Sequence, residues 1–142
     1  MVVFVDGDVP CNVEGRRRVK SWLAALAKHH NCTLGDVSIV SCSDEELLTY
    51  NRQYLDHDTY TDIITFDHTE GVTLSGDLLI SFERVHENAE NQGVVFQEEL
   101  RRVMAHGVLH LAGFKDKTPE DATAMRQAED HALQMFHVEH SA

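Results

Sequence analysis

Apolar residues along this chain follow two rhythms: short runs that suit strands, and longer stretches spaced three and four apart that suit helices. The opening MVVFVDG reads as a short edge strand. In RRRVKSWLAALAKHH, Val19, Trp22, Leu23 and Leu26 sit at helical spacing and predict a helix that buries one stripe. DVSIVSCS predicts a second strand. Ser43, with Glu46 three residues on, forms a capping box that opens a helix carrying Leu47, Tyr50 and Tyr54 at the helical period. TDIITFD and GDLLISF predict two further strands, and ERVHENAENQG a short polar helix. From Phe96 to Ala112 runs the most apolar helix, with Leu100, Val103, Met104, Gly107, Val108 and Leu111 on one side and Gly113 placed for a left-handed C-terminal residue. Thr118 as cap, Pro119 in the first turn, and the acids Glu120 and Asp121 open a last helix that should end near Phe136. The sum is an α+β fold, a single domain over residues 1–142 with one roughly four-stranded mixed sheet and about five helices.

Composition narrows the functional classes. No apolar run approaches the roughly 20 residues of a membrane span, and no signal-peptide pattern precedes the first strand, so a cytoplasmic protein without membrane partners is expected. Three cysteines, Cys11, Cys32 and Cys42, form no C-x-x-C pair and read as reduced thiols. Twelve basic residues against 24 acidic ones give a net charge of −12, which opposes nonspecific phosphate binding. A nucleic-acid role would therefore rest on a local basic patch, and DNA is not an expected partner.

The segment HGVLHLAGFKD carries the chemistry. His106 and His110 are four residues apart, so on a helix both face one side, at the border of the apolar stripe beside Glu99 and Arg102. Gly113 and then Asp116 continue the spacing: the glycine lets the chain leave the helix and turn back, so that Asp116 can face the same ion. This is the ligand spacing of H-E-x-x-H-x-x-G-x-x-H, with aspartate third. It predicts a metalloprotease-like metal helix binding one divalent ion through His106, His110 and Asp116, with zinc as the expected ion. Gly107 stands where those proteases carry their general base, and Glu99 lies about two turns away. Spacing thus favours metal-assisted hydrolysis and weakens a peptidase reading.

HGVLHLAGFKD resembles the signature of the YbeY proteins, which opens H-G-x-L-H-L-x-G-[YF] and ends on a histidine or aspartate. Two further segments are similar to that family in order and spacing. LLTYNRQYLDHDTYTDIITFD resembles its L-N-x-x-[YF]-R region followed by T-D-V-L-S-F, and SGDLLIS resembles its G-D-I-x-I-S strand. The resemblance runs from about Leu47 to Asp116. It implies a metal-dependent endoribonuclease that cuts single-stranded RNA in ribosomal RNA maturation and ribosome quality control, with the ribosome or ribosomal proteins as partners. It also implies that His106, His110 and Asp116 are the ligands, the last in a position where the family commonly has histidine. Arg52, the arginine of this segment, would take the part of the family arginine and join His106 as a catalytic residue, clamping a phosphoryl oxygen.

Other residues carry weaker expectations. Asp62 and Asp77 match family positions but read more simply as a strand-entry cap and a turn residue. Lys115 and Lys117 read as loop lysines, His131 and His137 as surface residues, and His57 and His68 as candidates to line a substrate cleft. Two alternatives in other classes remain: a metallopeptidase-like or other metal-dependent hydrolase, and a non-catalytic ribosome-associated protein with a structural metal. An iron oxygenase with two histidines and a carboxylate is more remote, because its barrel pattern is missing.

Overall fold

The structure, a computed structural model, describes residues 1–57 and 59–141, the last three by backbone alone. Strand β1 (Val2–Asp6) leads to helix α1 (Arg16–His29), strand β2 (Thr33–Cys42) and helix α2 (Asp44–Tyr54). Strands β3 (Ile63–Asp67) and β4 (Thr73–Ser81) follow, then helices α3 (Phe82–Gln92), α4 (Phe96–Leu111) and α5 (Pro119–Ser141). The strands form one mixed sheet in the order β1-β2-β4-β3, with β1 at an edge as its short length implied. β2 pairs in parallel with both β1 and β4, and β3 closes the other edge antiparallel to β4. An α+β domain with four strands and five helices is what the pattern predicted.

Alternation along β4 sorts the core. Leu74, Leu78 and Ile80 face α1, α4 and α5, while Leu79 faces the other way, towards Leu47, Cys42 and Ile64 beneath α2. The larger side is built around α4, whose Leu100, Met104, Val108 and Leu109 are sealed from solvent. Trp22 of α1 is fully buried; its indole N–H donates to the Ala132 carbonyl at 2.7 Å, and its ring meets Phe136 edge-on at 5.4 Å. This ties the first helix to the last, and α4 is held between them and the sheet.

Local details correct several expectations. β2 begins at Thr33, earlier than DVSIVSCS suggested, because β4 supplies partners across an irregular register between Leu34 and Val37. Ser43 Oγ accepts from the Glu46 N–H at 3.2 Å, as a cap should. The reciprocal half of the box is absent: the Ser43 N–H donates to Asp8 from the loop after β1, at 2.8 Å. Tyr54 is 60% exposed and stacks on Tyr50 at the end of α2 instead of entering the core. Thr118 Oγ1 caps α5 through the Asp121 N–H, but the helix runs on past Phe136 to Ser141, since no glycine or proline stops it. Among the described residues, no helix is long and apolar enough to cross a membrane.

All three cysteines are free thiols, and burial separates them. Burial pushes the Cys42 thiol up to about 12 and also raises Cys11, whereas Cys32 is half-buried. Native alkylation at about pH 8 should modify Cys32 alone, with Cys11 and Cys42 reacting only after denaturation. Mass spectrometry of the labelled chain reads this directly, and rapid native labelling of Cys42 would contradict the packing beneath α2.

Candidate functional site

The site grows out of the end of α4. Val95 precedes the helix, the apolar stripe holds it against the sheet, and Gly113 ends it at φ 106. Gly113 N–H donates to the His110 carbonyl and Phe114 N–H to the Leu109 carbonyl, both at 3.0 Å. These bonds satisfy the last carbonyls and turn the chain back, as the glycine position predicted. The return brings Asp116 to His106, with Asp116 Oδ2 3.3 Å from His106 Nε2.

The other ring nitrogen of His106 is also occupied. His106 Nδ1 lies 2.7 Å from Oε2 of Glu129 on α5. Glu129 is 6% exposed; its Oε1 accepts from Arg102 Nη1 at 3.1 Å and faces Arg126 Nη1 at 3.7 Å. Arg102 also donates to Asp130 at 2.8 Å. Asp62, just before β3, joins Glu99, Arg102, Val103, His106, Arg126 and Glu129 around a polar cavity of about 110 Å³. The pattern reading favoured Asp62 as a simple strand cap; half-buried, it bonds backbone at the start of β3 and also lines this cavity.

Charges in the cavity respond to their surroundings. Burial would lower the His106 imidazole pKa, yet the hydrogen bond and charge of Glu129, aided by Asp62 and Asp116, carry it above its ordinary value. Burial raises both Asp62 and Glu99, and the nearby cations offset this only in part. Glu99 Oε1 is buried with no hydrogen-bond partner. Arg102 is pulled down by desolvation but raised overall by the carboxylates it bridges. The cavity therefore sets three carboxyl groups and two guanidinium groups around one imidazole.

The remaining sequence candidates divide cleanly. His110 lies one turn beyond His106, with its side chain exposed. Among the described residues, no three His, Cys, Asp or Glu side chains already converge as a ready-made metal cluster. The structure thus brings together His106 and Asp116, and leaves His110 at the rim on the same helical side. Arg52 occupies the exposed face of the last turn of α2, whose buried face carries Leu47, Leu48 and Asn51. Lys115 and Lys117 are exposed on either side of Asp116. Asp77 lies within β4 and not in a turn, 3.4 Å from exposed His68. His57 is exposed, His131 stacks on His29, and His137 stands 3.7 Å from Glu98 in the first turn of α4, at the opposite end of that helix from His110.

Gly107 does not face this site at all. A Cβ there would lie 2.8 and 2.9 Å from the Leu78 methyl carbons and 3.0 Å from the Ile63 terminal carbon. The position that holds the protease base is wedged against the sheet.

Comparison with known proteins settles the relationship. The family model of endoribonuclease YbeY matches residues 7–137. The chain belongs to the YbeY family. An endoribonuclease YbeY of Christiangramia forsetii is 46% identical over 136 residues, covering 96% of this chain and 94% of the relative. One from Flavobacterium johnsoniae is 45% identical over 90% of this chain and 92% of its own, and one from Bacteroides thetaiotaomicron 47% identical over 84% and 88%. The solution structure of TM1509 from Thermotoga maritima superposes with a TM-score of 0.64 at 26% identity, covering 98% of this chain and 91% of that one. Family membership thus reaches well beyond the segment from Leu47 to Asp116 and takes in α1, β2 and most of the last helix.

Glu129 is the residue that the sequence reading missed. A signal was present: Met125, Glu129, Ala132, Leu133 and Phe136 keep the helical period of a buried face, and Glu129 is the one charged member. An acid on the buried stripe of an amphipathic helix calls for a cationic or hydrogen-bonded partner.

Proposed function

We propose that this chain is a metal-dependent endoribonuclease cutting single-stranded RNA during ribosomal RNA processing and ribosome quality control. The observation that supports it is His106, with a carboxylate on each ring nitrogen, Glu129 at 2.7 Å and Asp116 at 3.3 Å, in a chain matched to the endoribonuclease family over 7–137. Two such close approaches require a proton or a cation to balance them. Two imidazoles and a carboxylate, from His106, His110 and Asp116, suit one divalent ion, with zinc the expected occupant. When bound, such an ion supplies Lewis acidity towards a phosphodiester oxygen.

The chain's own groups do the rest. His106 and Asp116 present their donor atoms from the end of α4 and the returning loop, and Arg52 holds a phosphoryl oxygen and offsets charge developing there. The residues 1–142 act as one domain. RNA is the substrate; the ribosome or a ribosomal protein delivers it in the cytoplasm, since a net charge of −12 gives the isolated chain little general attraction for phosphate. A tight, strongly salt-sensitive affinity of the isolated chain for bare RNA would overturn that dependence. The peptidase alternative loses its footing at Gly107, which packs on Leu78 and Ile63.

The test is cleavage of single-stranded RNA by the metal-reconstituted chain, with chelator as a control. Arg52→Ala should keep its metal content and lose at least about 100-fold in cleavage rate. An unchanged rate removes Arg52 from the mechanism. Cleavage of an unstructured protein but not of RNA would replace the nuclease reading with the hydrolase alternative.

A further inference from the structure

We propose that Glu129 is the positioning residue of the metal centre, accepting the Nδ1–H of His106 so that the Nε2 lone pair is presented to the ion. The inference rests on the reading of His106 as a ligand. A neutral imidazole has one N–H for two flanking carboxylates. Glu129 Oε2 lies at 2.7 Å and Asp116 Oδ2 at 3.3 Å, so the shorter contact takes the proton and the longer one shares its space with a cation. The alternative tautomer would place the lone pair of Nδ1 against a buried carboxylate and block Nε2 with a proton.

Glu129 is built to hold this post. It is almost fully buried, and its second oxygen is fixed by Arg102 at 3.1 Å, with Arg126 at 3.7 Å. Arg102 is itself anchored to Asp130 at 2.8 Å. Arg102 and His106 are four residues apart on α4, so one carboxylate of α5 spans two successive turns of the metal helix. A carboxylate serving only to neutralise Arg102 would not need to place its other oxygen on the ring. An outer carboxylate of this kind fixes the ring's tautomer and orientation and raises its basicity as a ligand.

Zinc affinity of the full chain, measured by competition with a chromophoric chelator, tests the role in wild type, Glu129→Gln and His106→Ala. Glu129→Gln should weaken zinc binding by about 10- to 100-fold, while thermal melting of the metal-free proteins reports any structural loss separately. Wild-type affinity in Glu129→Gln overturns the positioning role and leaves the metal centre standing. No zinc binding by the wild type, or wild-type affinity in His106→Ala, overturns the metal centre and the positioning role together. A second measurement needs no variant. Long-range proton–nitrogen NMR of the metal-free wild type, at a pH where the ring is neutral, should show His106 protonated on Nδ1. A ring protonated on Nε2 overturns the proposal even if Glu129→Gln fails to fold.

Discussion

His106→Ala is expected to abolish both metal binding and RNA cleavage, with the chain still folded. Among the described residues, His106 is the one side chain that touches Asp116 and Glu129 at once, at 3.3 and 2.7 Å, so its loss removes a proposed ligand and disconnects the loop from α5. The fold should survive, because Glu129 keeps Arg102 at 3.1 Å and α4 keeps its apolar face. The stability cost should be about 1–3 kcal/mol, the scale of leaving one buried polar group without its partner. Metal content after reconstitution and gel-based cleavage of single-stranded RNA read the two losses side by side. The pairing matters, because contaminating ribonucleases imitate this activity and the variant carries the same contaminants. Cleavage that persists at the wild-type rate in the metal-free variant would mean that it comes from a contaminant or does not need His106.

Gly107→Glu, which restores the H-E-x-x-H core of the protease motif, should yield a damaged protein and no peptidase. The Cβ alone would press to 2.8 Å on Leu78 and 3.0 Å on Ile63, and the added carboxylate would enter an apolar wedge between α4 and the sheet. Overpacking and an unpaired buried charge together should cost at least about 3 kcal/mol. For a domain of this size that corresponds to a melting temperature lower by about 10 °C or more. Gly107→Ala serves as the milder control: its methyl meets only the ends of flexible side chains, and its helix propensity returns about 1 kcal/mol. Calorimetry of the three proteins, with an unstructured protein as peptidase substrate, decides the matter. A Gly107→Glu chain that melts like wild type would show that this position opens onto the cleft after all.

The elements were legible because each is short-range chemistry. Val19, Trp22, Leu23 and Leu26 are buried as their spacing required, and Gly113 ends α4 with the bonds expected of it. What stayed hidden depends on partners distant in sequence. The Ser43 cap is completed by Asp8, 35 residues earlier, so its pattern looked self-sufficient. Asp62 showed only as a strand cap because its cavity neighbours arrive from α4 and α5. Glu129 was visible only as an acid on a buried stripe, and nothing local named His106 as its partner. The histidine motif marked the end of α4 and the turn that returns Asp116 to His106, but periodicity alone could not show that Gly107 faces the sheet.

The link between Arg102, Glu129 and His106 also sets an order in time. Synthesis runs from the N-terminus, so the sheet, α4 and the histidine motif all exist as chain before the first residue of α5 is made. Until Glu129 arrives and docks, His106 lacks the carboxylate that orients it, and Arg102 lacks the partner that holds α4 to the last helix. An unfinished copy therefore carries His106, His110 and Asp116, the proposed ligands, without the contact from Glu129. The contact that joins α4 to α5 through His106 thus forms only once α5 has been made.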